Sequence, residues 1–276
     1  MANLTTYSKD ELIKYFFRTG GFTDASVSAI NVSLHTGDPG LTGAANEVVG
    51  NGYARGGYGP SNTLWDNPAG QRFTSNANNI ASFPAPSGGN WGNISHAAVW
   101  ADTNPLFFGI LTAPIAVNDG DAAPIIPAGT MILSLINAFT EYSAGIFLNH
   151  FLRNAAAPAH TAMYAAMHIG APGTDNVFAN EVNDSTYARS QRDPLDANWR
   201  DQLADDGETH NLAAIAYAAP DGTAWMAGQT ISHFSLADAL TNGNKLFQSA
   251  LTSGKIVAGT DPAPEWEGQA LKVIFA

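Results

Sequence analysis

Residues 34–55 read LHTGDPGLTGAANEVVGNGYAR, and this stretch decides the fold because the chain carries it twice. Residues 167–189 read MHIGAPGTDNVFANEVNDSTYAR. His35, Gly37, Pro39 and Gly40 return as His168, Gly170, Pro172 and Gly173 at a shift of 133. One inserted residue later, Glu47, Val48, Tyr53, Ala54 and Arg55 return as Glu181, Val182, Tyr187, Ala188 and Arg189 at a shift of 134, and Trp65 and Trp199 keep that register.

Working outward, Tyr15-Phe16-Phe17-Arg18 answers His150-Phe151-Leu152-Arg153, and IleSerHis at 94–96 recurs at 231–233. Leu106-Phe107 with Leu111-Thr112 returns as Leu246-Phe247 with Leu251-Thr252. A period of about 137 residues is too long for a solenoid, so the pattern predicts two whole domains of one fold. The boundaries fall at 1–139 and 140–276, with the joint between Asn137 and Ser143.

Each copy is expected to open with a helix. Ser8 and Glu11 have capping-box spacing before an apolar face, Gly20 and Gly21 supply stop signals, and Ser143 is the expected cap in copy two. The texture then changes to strands. Ile30, Val32 and Leu34 alternate with polar residues as in a half-buried strand, and further short strands are expected at 80–83, 95–100, 106–112 and 131–136. AVWADTNPLFFGIL, residues 98–111, reads as a hairpin turning at 102–105, and copy two turns through ThrAsnGlyAsn at 241–244. The fold class is therefore mainly β: two tandem β-sandwich-like domains, each with an N-terminal helix.

Composition narrows the function classes. There is no cysteine, so disulfides and Cys-zinc sites are excluded. No apolar run is long enough to span a bilayer as a helix, and residues 1–16 lack the apolar core of a secretion signal. Charged residues are 13% of the chain, about half the usual share. A glycine-rich β-protein would show the same depletion, and a surface this poor in charge also suits contact with protein partners. Net charge is −12; copy one holds 5 basic and 9 acidic residues, copy two 7 and 15, which argues against nucleic acid as a partner.

Candidate site residues are those that recur. His35 with His168 and His96 with His233 resemble an inherited metal site, yet no third ligand recurs beside them in sequence, so no metal or other cofactor is expected. Glu47–Arg55 and Glu181–Arg189 are the recurring opposite charges, read as ion pairs that pin the glycine-rich excursion 43–59 and its counterpart. Tyr53 and Tyr187 read as core anchors. Trp91 and Trp100, set against Gly228 and Ala237, are candidate interface residues. Asn118-Asp119-Gly120-Asp121 lacks the bidentate Glu of a calcium loop, and no nucleophile elbow, Walker loop, HExxH or dinucleotide fingerprint occurs, so no catalytic residue is assigned.

In their order, LHTGDPG, EV, GYAR, WGNISHAAVW at 91–100, LFFGIL at 106–111 and PAGTMIL at 127–133 resemble virion structural proteins of tailed bacteriophages, of the tail-fibre or head-decoration type. The resemblance implies a β-rich, non-enzymatic accessory module in the virion. Its implied partners are the major capsid protein or tail proteins, with oligomers on the particle and neither membrane nor nucleic acid bound. The main expectation is a capsid decoration or cement protein. The alternatives are a tail-fibre or baseplate component that recognises the host and, more remotely, an envelope glycan hydrolase. Copy one, with its bare glycine backbone, is expected to face the particle and the more acidic copy two to face solvent.

Overall fold

The computed structural model describes residues 3–24, 26–135, 139–174, 177–201 and 207–275. The expected joint at Asn137 and the strand end at Ile136 lie outside them. Repeat one runs β1 (Asn3–Leu4), α1 (Thr6–Phe17), β2 (Ile30–His35), β3 (Gly56–Gly57), β4 (Phe73–Ser75), β5 (Gly92–Ala101), β6 (Asn104–Val117) and β7 (Ile132–Ser134). Repeat two runs α2 (Glu141–Arg153), β8 (Tyr164–His168), β9 (Ser190–Gln191), β10 (Glu208–His210), β11 (Ile215–Ala216), β12 (Thr230–Ala237), β13 (Lys245–Ile256), β14 (Glu265–Trp266) and β15 (Lys272–Ile274).

The two strand orders match. Repeat one forms an antiparallel sheet β1-β6-β5-β2-β3, and repeat two forms β13-β12-β8-β9. Where β1 pairs Leu4 with Phe107, repeat two has the single bridge Phe139–Phe247. The ribbon β4–β7 is answered by β10–β15, and β11–β14 is reduced in repeat one to the bridge Ile80–Ile126. The expected strand at 80–83 is thus one bridge. The fold is mainly β, in two tandem repeats with a helix at the head of each.

The helices begin earlier than the capping-box spacing predicts. Thr5 is the N-cap of α1, its Oγ1 accepting from Ser8 N, while the Ser8 hydroxyl donates 2.8 Å to Leu106 O. Thr140 caps α2 in the same way, and Ser143, the expected cap, is the third helical residue and donates 2.6 Å to Leu246 O. Both threonine hydroxyls also reach the carbonyls at the start of the long strand. A cap one turn upstream thus ties each helix to its sheet, which Ser8 with Glu11 would not do.

The hairpin forms as read, with Asp102 in the left-handed region (φ 51°) and its carboxylate accepting from the backbone of Ala29 at 2.9 Å. Both long hairpins slip register at two places, and the larger slip lies towards the open end of each. The pairs Ile94–Ile115 and His96–Ile110 leave residues 111–114 as extra length, and Ile231–Lys255 and His233–Ala250 leave 251–254. In β13, the edge strand of its sheet, the bulge spoils the strand as a template for further pairing.

The repeats do not have separate cores. Buried apolar side chains from both form one continuous cluster. Phe17 of α1 packs edge-on to Trp199 at 4.9 Å, and Phe16 to Phe247 at 5.0 Å. In return Phe147 of α2 meets Phe107 at 6.0 Å. Each helix lies between its own long strand and the other repeat.

Candidate functional site

The recurring residues assemble into one constellation, built twice. β2 places His35 directly opposite His96 of β5, and a bridge sets Glu47 on its other side; His168, His233 and Glu181 repeat the row. Sequence spacing hid the carboxylate that stands beside the first histidine in both copies. Two imidazoles and a carboxylate in a row would suit a metal, but the first imidazole of each row and the carboxylate are engaged elsewhere. His35 Nδ1 lies 2.7 Å from Ala45 O and Nε2 2.7 Å from Ser33 Oγ. A carbonyl can only accept, so Nδ1 carries the proton and Nε2 accepts from the serine. His168 is held alike, 2.9 Å from Ala179 O and 2.8 Å from Ser235 Oγ. Among the described residues no group of three His, Cys, Asp or Glu side chains is placed to hold a metal ion.

The serine changes strand between the copies. In repeat one Ser33 on β2 faces Ala98 on β5; in repeat two Ala166 on β8 faces Ser235 on β12. One hydroxyl reaches the imidazole in each repeat, from opposite strands. This buried hydroxyl also overturns the expected half-exposed alternation of β2, where Ser33 is fully buried and takes a 2.7 Å bond from the Trp100 indole.

Glu47 receives Arg55 Nε and Nη2, both at 2.8 Å, and Glu181 receives Arg189 in the same two-pronged geometry at the same distances. Tyr53 donates to Glu47 at 3.2 Å and accepts from Leu34 N at 2.9 Å; Tyr187 does both for Glu181 and Met167. The loop is thereby fastened to its strand. Desolvation works to raise the Glu47 carboxyl, but the bonds and charge of Arg55 outweigh it and hold it below the usual range. Burial lowers His35 and brings His168 down to about 4, so both are neutral at pH 7.

The arginines differ in their surroundings. Arg55 stacks on the Trp100 ring at 3.6 Å, and its side chain is 30% exposed. Arg189 stacks on Phe178 at 3.9 Å, is 4% exposed, and donates two further 2.8 Å bonds to Ala239 O and Asn242 O. Where repeat one has Trp100, repeat two has Ala237, and a loop phenylalanine fills the space. Nearby, the buried Lys245 ammonium sits among the carbonyls of Pro172, Gly173 and Val177, a feature with no parallel at Pro105.

Trp91 and Trp100, the candidate interface residues, are each about 5% exposed and occupied inside the fold. Trp91 donates 2.8 Å to Asn51 O and packs edge-on to Tyr53 at 5.2 Å. Its counterpart is Trp225, edge-on to Tyr187 at 5.4 Å; the assignment to Gly228 used the wrong register. The glycine excursion also turns inward. A Cβ on Gly56 would lie 2.9 Å from the Phe83 ring and one on Gly52 2.6 Å from Ser87 Oγ, so these glycines make room for the chain's own side chains. Asn118 and Asp121 form a turn closed by a 2.7 Å bond from Asn118 N.

A crevice of about 550 Å³ opens between the repeats, lined among others by Tyr15, Arg18, Phe22, His150, Pro158 and His160. None of the recurring loop residues reaches it. His150 is spent on Asp24 O and Ala155 O, and the rest of the walls is glycine, alanine and proline with Thr19, Thr161 and Leu195.

These features define a class: a duplicated, mainly β structural module in which the recurring polar residues brace loops. The chain belongs to the family described as podophage GP4 fiber I protein gp80, whose model matches residues 3–134 and again 138–273. That double match is the duplication read from the sequence, and it makes the chain a phage virion structural protein of a fibre family. No curated protein matches the chain.

Proposed function

We propose that the chain is a structural component of the tail fibre of a podophage particle, acting by shape and attachment. The observation that carries this reading is the fibre-family match across both repeats. The inward wiring of the recurring polar residues supports it: His35 and His168, both Glu–Arg pairs and both tyrosines are engaged with the protein's own loops and strands. The fibre reading displaces capsid decoration, for which neither the fold nor the family offers a specific support. In this reading the partners are other virion proteins and the protein resides in the virion.

Labelling intact particles with an antibody fragment raised against the chain and imaging them by electron microscopy tests the proposal. Label on appendages at the tail vertex is expected. Label spread over the head surface would restore the decoration reading. Cleavage of host polysaccharide by the purified protein, lost in Glu47→Gln and Glu181→Gln, would favour the hydrolase instead.

A further inference from the structure

The contacts between the repeats come in reciprocal pairs. Arg18 at the end of α1 donates 3.0 Å to the carbonyl of Trp199, and Arg153 at the end of α2 donates to the carbonyl of Trp65. Tyr15 and His150, three residues before these arginines, repeat the pattern. The Tyr15 hydroxyl donates 2.7 Å to Pro158 O in the segment after α2, and His150 Nε2 bonds at 2.7 Å to Asp24 O in the segment after α1. In each pair, helix position i of one repeat meets loop position j of the other, and the other helix returns the contact. That is the signature of a two-fold, isologous interface.

All four acceptors are main-chain carbonyls. A carbonyl is the same acceptor whatever side chain its residue carries, so this part of the interface does not depend on which copy supplies the loop. Side chains add a preference: Arg18 is also 3.1 Å from Asp196 and 3.4 Å from Asp201, where repeat one carries Asn62 and Asn67. The acidic loop belongs to repeat two, so repeat two can satisfy an arginine from either helix.

We infer that the surface between the repeats is a dimer interface, complete without the covalent joint, whose fitting partner is a second copy of the repeat. The tandem chain is a fused dimer. Repeat two is able to pair with a second repeat two as well as with repeat one, its Arg153 meeting Asp196 and Asp201 of the facing copy.

The test uses the full chain with a protease site inserted between Leu135 and Phe139. Circular dichroism of the uncut protein first establishes that the insertion is folded. After cutting, size exclusion and native mass spectrometry should show the two pieces travelling together. After unfolding in urea and refolding as a mixture, mass spectrometry should show one–two pairs and two–two pairs. Arg18→Ala with Arg153→Ala should weaken association of the cut pieces by about ten- to a hundredfold per lost charged hydrogen bond. Separation or precipitation of the pieces on cutting would overturn the inference. So would one–two pairs alone, the result of ordinary fragment complementation within a single asymmetric domain.

Discussion

Replacing Arg189 with alanine should cost far more stability than replacing Arg55, although the two head the same motif. Arg189 is 4% exposed and its loss strands the Glu181 carboxylate, whose side chain is only 19% exposed, together with the carbonyls of Ala239 and Asn242. One-sided removal of a buried, hydrogen-bonded pair costs about 3–5 kcal/mol. Arg55 is 30% exposed, and its partners are Glu47 and the Trp100 face. Solvent screens that pair, so its removal should cost roughly 1–2 kcal/mol. At about 2–4 °C per kcal/mol for a chain somewhat smaller than this one, Arg189→Ala should lower Tm by roughly 10 °C and Arg55→Ala by a few degrees. Urea denaturation followed by tryptophan fluorescence measures both. Arg189→Lys should fall between, since an ammonium keeps the charge but cannot span the carboxylate and both carbonyls. Equal losses for the two alanine variants would refute the claim that burial and the extra carbonyl bonds set the difference.

Ser235→Ala should cost about 1–2 kcal/mol by leaving His168 Nε2 without its donor, and adding Ala166→Ser should recover most of the loss by supplying the hydroxyl from the facing strand, as Ser33 does in repeat one. Failure of the second change to rescue the first in a urea titration would contradict the strand exchange. Acid should destabilise through His168: its folded pKa lies below its unfolded value, so its contribution is full above pH 6.5 and is lost as pH falls towards 4, about 3 kcal/mol in all. His168→Gln should flatten that part of the stability profile, and an unchanged profile would dismiss the histidine as its source. Lys245→Met removes the ammonium from the carbonyls of Pro172, Gly173 and Val177, and limited proteolysis should then cut in 172–179 at least several times faster, with the rest of the chain unaffected.

Residues that recur at one spacing were legible from sequence: the duplication, the hairpin around Asp102, and the pairing of Glu47 with Arg55. What escaped was preserved in space but not in position. The serine partner of the imidazole moves from 33 to the place facing Ala166, and the aromatic under the arginine moves from Trp100 to Phe178, so alignment of the copies shows two losses where the structure shows two exchanges. Trp225 was missed because the shift creeps along the chain and the nearest register pointed to Gly228. The helix caps were misplaced because Ser8 with Glu11 has the right local spacing, whereas the choice of Thr5 depends on Leu106, 101 residues away. Arg18 and Arg153 were visible as a repeat, but their role across the two-fold leaves no local pattern.

The exchanged serine has a consequence for how genes of this kind can recombine. Replacing residues 30–35 alone by 163–168 would put Ala166 opposite Ala98 and leave the imidazole of repeat one with no hydroxyl. The reverse transfer would set Ser33 against Ser235, crowding two hydroxyls onto one acceptor. Crossovers between the two halves that keep one hydroxyl per imidazole therefore carry the strand at 30–35 and the strand at 92–101 as one inherited unit. A crossover falling between these two strands leaves one hybrid with no hydroxyl for its imidazole and the other with two. Drift in the coding sequence is free to alter the loops on either side of this pair, while the pair itself travels together or not at all.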